Sequence, residues 1–147
     1  MAQVTFLDAI KQAMYEEMER DPTVVLIGED VGVYGGAFKT SEGLLAKFGW
    51  ERVIDTPISE SAIVGAACGM SYLGLRPIAE MQFIDFIVCA FNQITNFVAK
   101  GHYLWNAPAP IVIRRPADHN WRRRAAASMA GRFTRPIRRC ISCIRLG

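Results

Sequence analysis

The apolar positions of this 147-residue chain change their period several times, and each change marks an element. Between residues 5 and 20 they recur every three or four positions. Phe6, Ile10, Ala13, Met14 and Met18 make one stripe, which predicts a helix. Thr5 stands at the cap position with Asp8 three residues on, and Asp21-Pro22 ends the helix because a residue before proline avoids helical backbone. Val24–Ile27 is a continuous apolar run of strand length. A glycine-rich stretch follows over 28–36, then a helical piece over 41–48 and a strand over 52–54. Residues 60–73 predict a second long helix that stops at Gly74. Because no charge occurs from Ser61 to Leu75, this helix is expected to be buried on all sides. Downstream, 77–81 predicts a strand, 85–100 a helix and 111–114 a strand.

Short apolar strands separated by helices predict a mostly parallel sheet covered on both faces. The fold class is therefore α/β, a doubly wound domain over residues 1–116. Ligands of such domains bind off the carboxyl ends of the strands.

That rule draws attention to residues 52–65, RVIDTPISESAIVG. Strand 52–54 runs into a proline turn, and Glu60 then falls in the first turn of the uncharged helix. By position alone Glu60 reads as a capping acid, whose charge meets the free N–H groups of a helix start. The apolar helix behind it supports a second reading. A carboxyl group held against an apolar interior gains proton affinity and can hydrogen-bond a ring nitrogen. A second polar segment, Glu80-Met81-Gln82-Phe83-Ile84-Asp85-Phe86, brings Gln82 and Phe86 to the same edge of the sheet. Phe86 alone reads as a core aromatic and Gln82 as a loop or cap residue. Glu29 is a further candidate for this edge. The glycine-rich GVYGGAF follows Glu29 and Asp30, whose charges repel phosphate, so it reads as a loop packed at a subunit interface.

Charge divides the chain. Residues 1–116 hold 9 Lys+Arg against 13 Asp+Glu, while 117–147 hold the other 8 of the 17 bases, all Arg, and 1 of the 14 acids. Of the four cysteines, Cys68 and Cys89 lie in apolar stretches and read as small buried hydrophobes. Cys140 and Cys143 form a CxxC, but the tail offers only His119 as a further ligand, so no zinc site is expected. MAQVTFLDA does not have the basic start and apolar run of a signal peptide, and no apolar stretch is long enough to span a membrane. The expected location is cytoplasmic.

DTPISE, the upstream GEDVGVYGGAFKTSEGL and the downstream RPIAEMQFIDFI together resemble the beta subunit of thiamine-diphosphate-dependent 2-oxoacid dehydrogenases. This is the decarboxylating first component of the pyruvate, branched-chain 2-oxoacid and acetoin complexes. The likeness runs from about Val4 to Pro116, and AEMQFIDFI stands closer to the branched-chain type. It implies oxidative decarboxylation of a 2-oxoacid, with the acyl group passing to a lipoyl group on the acyltransferase component. Glu60 would bond the far ring nitrogen of the aminopyrimidine, favouring the imino tautomer whose exocyclic nitrogen acts as a base. Gln82 would supply a polar group beside that ring and Phe86 an aromatic face. The diphosphate and its Mg²⁺ would belong to a separate alpha subunit, since a GDG-type metal motif is lacking here. A second beta subunit is the other implied partner.

Beyond Pro116 the resemblance breaks. Shifted by one base, the codons of Asp118–Ala125 permit a glycine-rich run. Shifted by two bases, those of Phe133–Gly147 permit a family-like Phe-His-Ser segment. The expectation is a twice-frameshifted, disordered Arg-rich tail over 117–147 in which His119 is not the family's active-site histidine. The chain as it stands is expected to be a fragment, inactive by itself. Two other readings compete: a small nucleic-acid-binding protein using the Arg-rich tail, and a fragment of a transketolase-like thiamine enzyme. The preferred reading involves neither nucleic acid nor membrane.

Overall fold

A computed structural model describes residues 5–115. Helix α1 (Phe6–Arg20) starts as its sequence dictates, with the Thr5 hydroxyl accepting from the Asp8 backbone N–H at 3.1 Å. Its buried stripe is shifted from the expected one. Met14 and Met18 face the core with Ile10 and Tyr15 beside them, whereas Phe6 is exposed.

Four strands follow: β1 (Val24–Glu29), β2 (Val53–Thr56), β3 (Arg76–Glu80) and β4 (Val112–Arg114). They form one sheet in the order β2-β1-β3-β4, and every pairing is parallel. The expected doubly wound architecture follows from register. Leu26 is level with Val53 and Ile78, while Ile27 is level with Ile54 and Ala79. Successive side chains point to opposite faces. The Leu26 row therefore packs with α1 and α2 (Leu44–Phe48), and the Ile27 row packs with α3 (Glu60–Tyr72) and the segments after β3. Leu26 is 0% exposed at the centre of this arrangement. The chain moves from β1 to β2 on one face, then crosses back over β1 to β3 on the other. The switch point lies between β1 and β3.

Three expectations are corrected. Helix α3 is not buried all round: Ile63, Val64, Ala67, Cys68 and Ser71 are covered, while Ser61, Ala62, Ala66 and Gly69 on its other side are exposed. Small uncharged residues can line an outer helix face as well as a core, and hydropathy alone does not separate the two. The single helix expected over 85–100 is instead a 3-10 segment (Ile84–Ala90), a π-type segment (Gln93–Val98) and the short α4 (Gly101–Trp105). Its buried residues explain the change. Ile84, Ile87 and Ala90 recur every three residues, and a 3-10 turn keeps such positions in line where an α-helix would rotate them away. Ile94 and Val98 then follow at intervals of four. The same tight winding turns Cys89 outward, so Cys68 is buried as expected but Cys89 is exposed. The expectations for residues 117–147, including His119 and the Cys140–Cys143 pair, lie outside the described residues.

Arg52 fastens the amino end of the sheet. Its guanidinium donates to the carbonyls of Met18, Asp21 and Val24 at 2.7–3.2 Å and lies over the Phe48 ring. It thereby ties the end of α1 to the start of β1. Nearby, the Asp21 carboxylate accepts from both the Thr23 hydroxyl and the Thr23 N–H, which hold its pKa below the usual value. Replacing Arg52 by Ala leaves three partly buried carbonyls without this donor and is expected to lower unfolding stability by about 2 kcal/mol. Urea unfolding measures this, and a loss within about 0.5 kcal/mol of zero would show that the carbonyls do not depend on Arg52.

Candidate functional site

Because all four strands run in one direction, their last residues collect at one edge. Glu29 ends β1 and is level with Thr56, the last residue of β2. Gly28 is level with both Asp55 and Glu80, and Glu80 is level with Arg114. Past Thr56 the chain turns through Pro57, where the Ser59 hydroxyl donates to the Pro57 carbonyl at 3.1 Å, and α3 begins. Glu60 occupies the first turn, where the Ser59 side chain makes no cap hydrogen bond. The β2–α3 connection thus delivers a carboxylate and a helix start to the sheet edge together.

Glu60 and the end of β1 interact electrostatically. The Glu29 carboxyl is raised above the usual glutamate value, first by burial and then by the charges of Asp30 and Glu60. The amide of Gln82, two residues beyond β3, donates to the Asp30 carboxylate at 3.1 Å. Phe86 follows in the 3-10 segment, 46% exposed, with its ring edge-on to Phe83 at 6.1 Å between centroids. Phe83 is in turn edge-on to Phe38 from the glycine-rich loop at 5.8 Å. Glu60, Gln82 and Phe86 are therefore all delivered to one edge, Glu60 and Gln82 meeting the acidic pair Glu29–Asp30 and Phe86 the ring of Phe83. Asp30 itself adopts a left-handed conformation (φ 56°), uncommon for a residue with a side chain.

Three features of this edge were missed by sequence reasoning. Asp30, whose charge counted only against phosphate binding by the loop, holds Gln82 in place. Phe83 joins Phe38 to Phe86, although FIDFI hinted at two aromatics on one turn. Glu80 is the sole charged residue among the buried residues described, at 1% exposure, and is ion-paired with Arg114. The strand expected over 77–81 already includes Glu80, but nothing local marks Arg114 as its partner.

This set suits a planar, nitrogen-containing ring. A carboxyl group with raised proton affinity can share a proton with a ring nitrogen, a side-chain amide offers both donor and acceptor, and half-exposed aromatic rings offer a stacking face. Among the described residues no cluster of three or more His, Cys, Asp or Glu side chains could hold a metal ion. Nor is any described helix long and apolar enough to cross a membrane.

A parallel doubly wound domain with an acidic and aromatic carboxyl edge is the architecture of a nucleotide- or cofactor-binding half-domain. Residues 2–136 match the family described as transketolase, pyrimidine binding domain, and the chain belongs to that family. The chain is 53% identical over 118 residues to 2-oxoisovalerate dehydrogenase subunit beta of Bacillus subtilis, covering 79% of this chain and 36% of that protein. With pyruvate dehydrogenase E1 component subunit beta of Chaetosphaeridium globosum it shares 47% over the same length, again 79% and 36% of the two chains. The mitochondrial human counterpart is 49% identical over 116 residues, or 78% and 32%. The chain therefore spans about a third of the length of the curated relatives it matches.

The charges at the edge make a prediction about pH. Glu29 binds its proton more tightly in the folded chain than in the unfolded one, so its contribution to stability is complete below the ordinary glutamate pKa of 4.5 and is lost as pH rises through the raised folded value. Glu29→Gln should therefore gain stability relative to the parent as pH rises through that window. Glu60→Gln should lower the Glu29 midpoint while leaving it above 4.5, since burial is the larger cause. Carboxyl ¹³C NMR titration reads the midpoint, and one unaltered by Glu60→Gln would disprove the coupling.

Proposed function

We propose that this chain is the pyrimidine-binding part of the beta subunit of a thiamine-diphosphate-dependent 2-oxoacid dehydrogenase, the component that decarboxylates the 2-oxoacid and passes the acyl group to lipoyl. The observation that carries this reading is the convergence of Glu60, Gln82 and Phe86 at the carboxyl edge of a domain of this family. When bound, thiamine diphosphate supplies a thiazolium carbon acidic enough to become the nucleophile, with its own aminopyrimidine as the base.

The chain's residues supply orientation and proton placement. Glu60 would bond a nitrogen of the pyrimidine ring through its carboxyl, from its place in the first turn of α3. A helix start also favours a negative side chain at that position. Gln82, held by Asp30, would offer its amide oxygen to the ring, and Phe86 would supply an aromatic face to stack against it. Glu29, beside Glu60, keeps net negative charge on the pyrimidine side. The partners are an alpha subunit that binds diphosphate and Mg²⁺, a second beta subunit and the lipoyl-bearing acyltransferase. Identity of 53% with the 2-oxoisovalerate enzyme, against 47% and 49% with the two pyruvate enzymes, favours a branched-chain 2-oxoacid. The setting is cytoplasmic.

The test joins residues 1–116 to the rest of the Bacillus subtilis 2-oxoisovalerate subunit beta and assembles the product with its alpha subunit. The expected result is reduction of an artificial electron acceptor that depends on a 2-oxoacid and not on a ketose. Glu60→Ala should lower that rate by about a hundredfold or more. Ketose-dependent transfer would replace the dehydrogenase reading by a transketolase-like one, and full activity in Glu60→Ala would remove Glu60 from its role. The 147-residue chain alone is expected to be inactive. We also propose that residues 117–147 are read out of frame. Sequencing the DNA across codons 116–133 should reveal two frame changes, and an uninterrupted frame without a family-like continuation would refute them.

A further inference from the structure

The reaction proposed above has no task for Glu80, although Glu80 is the charge that the fold buries most completely. Its carboxylate pairs with Arg114 on the neighbouring strand, and the two side chains are 1% and 12% exposed. Burying a carboxylate and a guanidinium costs solvation, and removing either partner strands the other charge in the interior. Such a pair asks for an explanation in terms of what it holds.

Two glycines supply one. Gly28 lies level with Glu80 across the β1–β3 pairing, so close that a Cβ on Gly28 would stand 2.7 Å from the Glu80 carbonyl oxygen and 3.0 Å from the Glu80 Cβ. Gly36 approaches the other end of the same side chain: a Cβ there would stand 3.2 Å from Glu80 Oε1 and 3.0 Å from Ser41 Oγ. Gly36 also has φ +79°, which side chains rarely tolerate. Between these glycines lie Glu29 and Asp30, and the Gly36 N–H closes the loop by donating to the Asp30 carbonyl at 2.7 Å. The hydroxyls of Thr40 and Ser41, buried around the same point, make no hydrogen bond. Side-chain hydrogen bonds from this part of the loop therefore do not account for its seat on the sheet.

We propose that Glu80, anchored by Arg114, is a positioning residue for the acidic edge, clamping both ends of the loop that carries Glu29 and Asp30 through Gly28 and Gly36. Asp30 is then in place to hold Gln82, and Glu29 is kept partly buried next to Glu60. Glu80 touches no ligand itself and acts through the loop. The inference rests on the proposed function only for what the edge binds. The clamp is a property of this chain without any ligand.

The experiment uses the full 147-residue chain and reads amide hydrogen exchange by NMR, together with the titration of the Glu29 carboxyl. Glu80→Gln retains the volume but removes the charge. It is expected to speed exchange of the Gly36 amide by about tenfold or more and to move the Glu29 midpoint down toward 4.5 as burial is lost. Arg52→Ala, a destabilising change at the opposite end of the sheet, is expected to leave both readings at their parental values. Unchanged Gly36 exchange in Glu80→Gln, or an equal change in Arg52→Ala, would overturn the proposal. Should Glu80→Gln fail to fold, Gly36→Ala reads the loop from the other side with the ion pair intact. Faster exchange of the Asp30–Ser41 amides is then expected, and parental rates would refute the clamp. Neither reading measures thiamine diphosphate, so a failure here is distinct from a failure of Glu60→Ala in the assembled enzyme.

Discussion

Parallel strands cannot share out their ends: whatever each strand finishes with is brought to the same edge as its neighbours. Here β1 finishes with Glu29, and β3 and β4 with the partners Glu80 and Arg114. The turn after β2 adds Glu60, and the loop after β1 adds Asp30. Carboxylates confined together raise one another's proton affinity unless a cation intervenes. Arg114 serves Glu80, the most buried of them, and Glu29 is left with the repulsion of Asp30 and Glu60. The electrostatic character of the site thus follows from strand direction and from burial of the edge, and it depends on the two hydrophobic layers that cover the parallel sheet. Those layers meet in β1, whose Leu26 and Ile27 point into opposite cores.

Much of this was legible in the sequence because short apolar runs bounded by turn residues mark strands. The runs VVLI and IVIR and the proline turn of DTPIS placed β1, β4 and the β2–α3 junction within a residue or two of their observed limits. Helix α1 was legible through its cap and its proline stop. What could not be read was tertiary. The winding of 84–105 answers to the spacing of side chains against α3, which periodicity read with a single period of 3.6 misjudges. Local charge at Glu29 and Asp30 gave no sign of the hydrogen bond from Gln82, which comes from a segment 52 residues away. Glu80 and Arg114 are 34 residues apart, and nothing local marks them as partners.

The described chain also leaves much apolar surface open to solvent. Val33, Ile58, Leu73 and Tyr103 are each more than 70% exposed, and the small-residue side of α3 is bare. Exposed apolar surface of this kind is more common at interaction sites than on the free face of a monomer. The carboxyl edge, by contrast, is assembled from residues within 29–114 alone.

The central claim is that this edge receives the aminopyrimidine ring. A crystal structure of the assembled enzyme carrying residues 1–116, with thiamine diphosphate bound, tests it most directly. The account predicts a pyrimidine nitrogen within hydrogen-bonding distance of the Glu60 carboxyl and the Phe86 ring against one face of the heterocycle. A pyrimidine ring seated away from the carboxyl ends of β1–β3, with Glu60 facing solvent or merely capping α3, would contradict it.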